Sequence, residues 1–226
     1  MDFATIIGLL LGIFLIGGSM VLAGATAGLS VINFWSLESL MVVLGGTLSA
    51  TAIAFRLNEV KRVFGLISFV FKKPAFELDK VVDDIVSLGE AYRKDRQSLE
   101  AQASNLSNRF LKDGVVFITQ GLKLDDLRDI MATREEYRER REANEAGLMK
   151  TLGTYSPAFG MVGTLIGLIM MLLGMGTSAG DDMAAQLGQS MSIALITTFY
   201  GAVLANLLFL PFAEKITSRN KENTVC

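Results

Sequence analysis

The stretch Tyr155-Ser156-Pro157-Ala158-Phe159-Gly160-Met161-Val162-Gly163-Thr164-Leu165-Ile166-Gly167 lies in a run of 30 residues, 151 to 180, without one charged side chain. A helix needs about 20 apolar residues to cross ~30 Å of hydrocarbon, within a range of about 17 to 25. Three more runs have this character: 35 positions at 3–37, 17 at 39–55 and 31 at 183–213. Buried core helices rarely run so long without a polar face. The four runs predict four membrane spans, at about 3–27, 37–56, 156–176 and 187–212, the second at the short limit.

Composition agrees. Of 226 residues, 51% are hydrophobic and 19% charged, against about a quarter charged in a soluble domain. Such a chain is not disordered. Lys and Arg number 21 against 23 Asp and Glu, which leaves no broad nucleic-acid footprint. There is no His, and the single Cys is Cys226. This excludes a disulfide framework and a Cys/His metal site. An enzyme is disfavoured on the same grounds, since no His and no paired carboxylates mark a pocket.

The cations orient the chain. Eighteen of the 21 fall between Arg56 and Lys150, and Lys215, Arg219 and Lys221 follow the fourth run. The short connectors at 28–36 and 177–186 carry none. Lys and Arg mark the cytoplasmic side, so both termini and the central segment are expected in the cytoplasm. The N-terminus is not a cleavable signal, because it lacks a basic start and its apolar run is too long. The expected fold is an all-α membrane protein with a helical cytoplasmic domain between the second and third spans. Its parts are residues 1–56 (first two spans), 57–150 (cytoplasmic domain), 151–213 (last two spans) and 214–226 (a short cytoplasmic tail).

In the central segment, Leu78, Val81, Val82, Ile85, Leu88 and Tyr92 recur at helical spacing. A second helix is expected over Ser98–Phe110, with Lys112-Asp113-Gly114 as a stop. A third is expected to begin near Leu124-Asp125-Asp126, where aspartates suit a helix N-terminus. Glu136/Arg140 and Arg138/Glu142 are neighbours on it, and from Leu124 onward there is no Pro until Pro157, so it can continue towards the third span. Val115–Thr119 is the one strand-like run, read as helical from its surroundings.

Inside the membrane, Pro157, Gly160, Gly163, Thr164, Gly167 and Gly174 fall in one sector of the third span at ~100° per residue. In the fourth, Ser190, Ala194, Thr197, Gly201 and Ala205 share a face that Thr198 borders. Two readings follow. Small residues let helix backbones approach, and hydroxyls bond their own backbone. Alternatively Pro157, Gly160, Thr164, Thr197 and Thr198 line a polar pathway. No span contains an internal Asp, Glu, Lys or Arg, although ion relays usually need an ionisable group. Hydroxyls and carbonyls can coordinate a hard cation but cannot supply its counter-charge. An ion path here would borrow its carboxylate from another chain.

These features together resemble the MotA/PomA family of flagellar motor stator subunits over nearly the whole chain. The resemblance lies in Met1-Asp2-Phe3-Ala4-Thr5-Ile6-Ile7-Gly8, in Val43-Leu44-Gly45-Gly46-Thr47 and in Pro157-Ala158-Phe159-Gly160-Met161-Val162-Gly163-Thr164-Leu165-Ile166-Gly167-Leu168. It extends to Ala194-Leu195-Ile196-Thr197-Thr198-Phe199-Tyr200-Gly201-Ala202. It implies a homo-pentamer in the bacterial inner membrane, around a dimer of MotB/PomB-type subunits that each bring an essential aspartate. Ion passage then rotates the ring against the flagellar rotor C-ring protein FliG.

By the same motifs, Pro157 lies near the ion path, and Thr164 and Thr198 match hydroxyls that coordinate Na⁺ in sodium-type members, with Thr197 adjacent. Na⁺ is therefore the expected transported ion, with H⁺ the alternative, and no cofactor is implied. The resemblance makes Gly163, Gly167, Ala194 and Gly201 packing positions for the partner helices. It makes Arg93 and Glu100, with Lys94 beside Arg93, the rotor contact. Family members usually continue in a cytoplasmic helix after the fourth span, whereas this chain ends at Asn223-Thr224-Val225-Cys226. TolQ/ExbB-type energisers of envelope processes are the alternative reading. They typically carry one span before the cytoplasmic domain, so two N-terminal spans favour MotA/PomA. A structural membrane scaffold is a third, but it gives no reason for hydroxyls grouped on two spans.

The charge distribution makes a topology prediction. Alkaline phosphatase fused after residue 100 is expected to be inactive, and fused after residue 180 active. The reverse pattern would place the charged segment outside the cell.

Overall fold

The structure, a computed structural model, describes residues 3–28, 31–71, 78–95, 99, 101–103, 106, 108–176 and 181–225. No strand occurs among them. Helix α1 is Phe3–Ala27. Helix α2 covers Leu37–Ala54 and contains a π-helical stretch at Met41–Gly45. Short helices α3 (Leu57–Lys61) and α4 (Val63–Phe71) follow. Next come α5 (Leu78–Lys94), α6 (Arg109–Thr119) and α7 (Leu124–Met175). Helix α8 (Asp181–Val203) passes through a π-helical stretch, Leu204–Phe209, into α9 (Leu210–Val225).

Four of these segments are long and apolar enough to cross a bilayer: Phe3–Thr26, Leu37–Ala54, the apolar part of Leu124–Met175, and Met183–Lys221. They coincide with the four uncharged runs. The prolongation of the central helix into the third span is also found, as the 52 residues of α7. Pro157 sits inside α7 and supplies no N–H for the Gly153 carbonyl. The large side chains of α1, among them Leu10, Phe14 and Leu22, are exposed along this long apolar helix. Contiguous apolar surface of this kind marks contact with lipid or another membrane helix.

The chain forms two compact units, residues 1–72 with 145–216, and residues 73–144 with 217–226. In the first, Val63, Leu66 and Val70 of α4, Met149 and Leu152 of α7, and Phe212 and Ile216 of α9 bury a common core. The rings of Phe71 and Phe212 meet edge-on at 5.7 Å, and Arg62 donates to Glu145 at 3.1 Å. Tyr200 anchors the segment before α2: its hydroxyl donates to the Phe34 carbonyl at 2.6 Å and accepts from the Ser36 N–H at 3.3 Å.

The second unit buries Leu88, Ala91, Leu99, Ala103 and Val115 together. The expected apolar face of α5 divides. Val81 and Leu88 turn inward, while Val82, Ile85 and Tyr92 are exposed. The continuous helix expected at Ser98–Phe110 is not found. Residues 101–103 are helical, but Leu106 and Asn108 are not, and Asn108 caps a new helix by accepting from the Phe110 N–H at 2.9 Å. The stop expected at Lys112-Asp113-Gly114 is also displaced, because all three lie within α6. The helix instead ends at Thr119, and Gly121 just beyond it turns the chain with a φ of +78°, a left-handed conformation open to a residue without Cβ. The Gly121 N–H and that of Leu122 turn back to the Ile118 and Phe117 carbonyls. On α7, both expected pairs form: Arg140 with Glu136 at 2.6 Å and Arg138 with Glu142 at 3.7 Å. Each contributes about 0.3–0.5 kcal/mol.

Two adjacent glycines of α2 separate conformation from contact. A Cβ on Gly46 would stand 2.2 Å from the Phe159 ring, whereas one on Gly45 meets nothing within 4 Å. Gly46→Val is expected to destabilise the purified protein by about 1–3 kcal/mol. Gly45→Ala should be neutral or slightly stabilising. Thermal unfolding in detergent measures both.

Candidate functional site: an oxygen cluster where α7 meets α8

Helices α7 and α8 pack antiparallel through their small-residue faces. A Cβ on Gly163 would lie 2.5 Å from the Thr197 side chain, and one on Gly167 would lie 2.7 Å from Ala194 Cβ. A Cβ on Gly160 would press on the Thr198 backbone at 3.1 Å, and one on Gly201 on the Ser156 carbonyl at 2.6 Å. Gly160, Gly163, Gly167, Ala194, Thr197 and Gly201 are all buried. The four residues expected to pack on partner helices, Gly163, Gly167, Ala194 and Gly201, are thus occupied within the single chain, at the contact between its own spans.

Close approach brings carbonyls of one helix within reach of hydroxyls of the other. Thr164 Oγ1 lies 3.2 Å from the Gly160 carbonyl of its own helix and 3.2 Å from the Ala194 carbonyl across the contact. Thr198 Oγ1 lies 3.4 Å from the Ala194 carbonyl and 3.3 Å from the Gly160 carbonyl. The two hydroxyls are hydrogen-bonded to each other at 2.5 Å. Four oxygens therefore cluster at one point.

Thr197 Oγ1 is 2.8 Å from the same Ala194 carbonyl, so that oxygen has three threonine hydroxyls around it. Their exposures differ. Thr197 is fully buried, Thr164 half-buried and Thr198 exposed. Pro157 is half-buried, with its Cα in the Gly201 contact. The structure thus brings together Pro157, Gly160, Thr164, Thr197 and Thr198, with Thr197 in the packed layer and Thr164 and Thr198 at its edge.

Hard cations take hydroxyl and carbonyl oxygens as ligands, and this cluster offers four neutral ones. No group of three or more His, Cys, Asp or Glu that could hold a metal ion occurs among the described residues.

One polar residue of the fourth span was passed over in the sequence. Asn206 follows Thr198 at i+8, is exposed, and donates to the Ala202 carbonyl at 2.9 Å within the π-helical stretch. It is one of three carboxamides in the uncharged run 183–213, with Gln186 and Gln189, and the sequence alone does not single it out. Of the expected rotor contacts, Arg93 is exposed near the end of α5. The Lys94 side chain and all of Glu100 lie outside the described residues.

A model of the MotA/TolQ/ExbB proton channel family matches residues 102–225. The chain is 30% identical over 225 residues to the chemotaxis protein PomA of Vibrio alginolyticus, covering 100% of this chain and 84% of that one. Its fold is similar to that in the structure of C. jejuni MotAB, with a TM-score of 0.82 at 23% identity, over 99% of this chain and 84% of that one. It is also similar to the flagellar MotAB stator complex from Bacillus subtilis, with a TM-score of 0.73 at 27% identity, over 93% and 83%. With its specific motifs, its four spans and a full-length relative in agreement, the chain belongs to the MotA/TolQ/ExbB proton channel family, in its MotA/PomA branch.

Proposed function

We propose that this chain is the ion-path subunit of a flagellar motor stator in the bacterial inner membrane, with both termini cytoplasmic. It works with a MotB/PomB-type partner, in a pentamer around a partner dimer. The observation that carries this reading is the cluster of four neutral oxygens at the exposed edge of the α7/α8 contact, in spans that hold no carboxylate. A stator partner with one intramembrane aspartate supplies the missing charge. The names carried by the relatives point the same way.

In this reading Na⁺ sheds water, takes oxygens of Thr164 and Thr198, and pairs with the partner's aspartate. H⁺ is the alternative ion, for which the aspartate alone would suffice. Gly163, Gly167, Ala194 and Gly201 serve the partner helix by holding the two spans together, so that Thr164 and Thr198 present a fixed edge to it. The domain at 57–150 transmits torque to FliG through Arg93, Lys94 and Glu100. Exposed ion pairs contribute only ~0–1 kcal/mol, which suits a contact that forms and breaks at each step, with charge guiding the encounter.

The test is co-expression with such a partner, reading motor speed against Na⁺ at constant pH. Loss of one oxygen ligand to a charged group costs about 1.5 kcal/mol or more. Thr198→Ala is therefore expected to raise the half-maximal Na⁺ concentration about tenfold. Speed that ignores Na⁺ withdrawal would assign the path to H⁺. Full ion flux through the reconstituted chain without a partner would overturn the borrowed carboxylate.

Arg93→Glu is expected to slow swimming while leaving the protein assembled in the membrane, as tracking and membrane fractionation would show. Normal swimming with both Arg93 and Glu100 reversed in charge would remove them from the rotor contact.

A further inference from the structure

Between α1 and the end of the fourth span lies a groove of about 390 Å³. It is apolar along Gly8, Leu9, Leu207 and Pro211 and polar at one end, where Lys215 and Thr5 stand. Lys215 Nζ donates to Thr5 Oγ1 at 2.6 Å. Lys215 is the first cation after the uncharged run 183–213, and Thr5 is in the first turn of α1. The polar end therefore lies where both helices leave the hydrocarbon. The groove closes at Gly12, where a Cβ would lie 2.5 Å from Leu207 Cδ1. One turn nearer the mouth it is open, because a Cβ on Gly8 meets nothing within 4 Å.

These dimensions select an occupant. Thr5 to Gly12 spans about 10 Å of helix, within one half of a hydrocarbon layer ~30 Å thick. A transmembrane helix needs a groove that runs the full thickness. An acyl chain needs only one leaflet, with its headgroup at the interface. The lysine at the mouth complements a phosphate and has no counterpart at the closed end. We propose that the groove holds one acyl chain of an anionic phospholipid, with its headgroup phosphate on Lys215 and Thr5. The proposal needs the membrane reading of the spans but not the motor reading.

The test is native mass spectrometry of the delipidated full-length protein, titrated with phosphatidylglycerol or with phosphatidylcholine of the same acyl chains. The wild type is expected to retain one phosphatidylglycerol in preference to phosphatidylcholine. Lys215→Gln should weaken phosphatidylglycerol retention about fivefold, the effect of one lysine at an anionic surface, and leave phosphatidylcholine unchanged. Gly8→Leu, which fills the open part of the groove, should reduce retention of both lipids. Equal retention of the two lipids by the wild type, or unaltered retention in Lys215→Gln, would overturn the proposal. So would a Gly8→Leu protein that keeps its lipid but loses its oligomeric state, because the groove would then be a contact between copies of this chain.

Discussion

The close contact of α7 with α8 is the constraint on which the candidate site depends. In a bilayer the hydrophobic effect does not draw helices together, so association rests on dispersion and interhelical hydrogen bonds. Glycine at 160, 163 and 167 removes the side chains that would hold the backbones apart. The carbonyl of Ala194 then comes within hydrogen-bonding distance of a threonine on the neighbouring helix as well as of two on its own. A single methyl group at Gly163 would strike Thr197 and push these oxygens apart. Packing and the grouping of hydroxyls are two sides of one contact. The buried half holds the helices and the exposed edge carries the hydroxyls.

Electrostatics explains why such a cluster can sit at membrane depth. Neutral hydroxyls satisfied by carbonyls are tolerated there, whereas a lone carboxylate would be costly. The hydrogen bond between Thr164 and Thr198 satisfies each hydroxyl within the chain.

Burial is distributed to match the surroundings. The first unit concentrates its apolar core around Met149, Leu152, Phe212 and Ile216. Along α1, by contrast, no part of the apolar window is buried within the chain. Where water is present, apolar side chains gather against each other. The apolar side chains of α1 face outward instead, and the groove beside Gly8 is part of that outward surface.

The spans were legible from the sequence because crossing a membrane is a composition constraint: about 20 apolar residues without charge match the thickness of the hydrocarbon. The long helix through Pro157 and the ion pairs along it were legible because helical neighbours at three and four residues are local. The ends of the helices in the charged segment were not. Gly114 and Gly121 are the same residue type, and only the backbone fold decides which one takes a left-handed φ. Nor could one periodicity tell Val81 and Leu88, which turn inward, from Val82 and Ile85, which do not. In the membrane, spacing put Thr164 and Thr198 on suitable faces. That they meet each other and share the Ala194 carbonyl, while Thr197 is sealed in the packed layer, depends on how two antiparallel helices are offset and rotated. That offset comes from contacts between residues about 30 positions apart, and a chain read along its length does not record it.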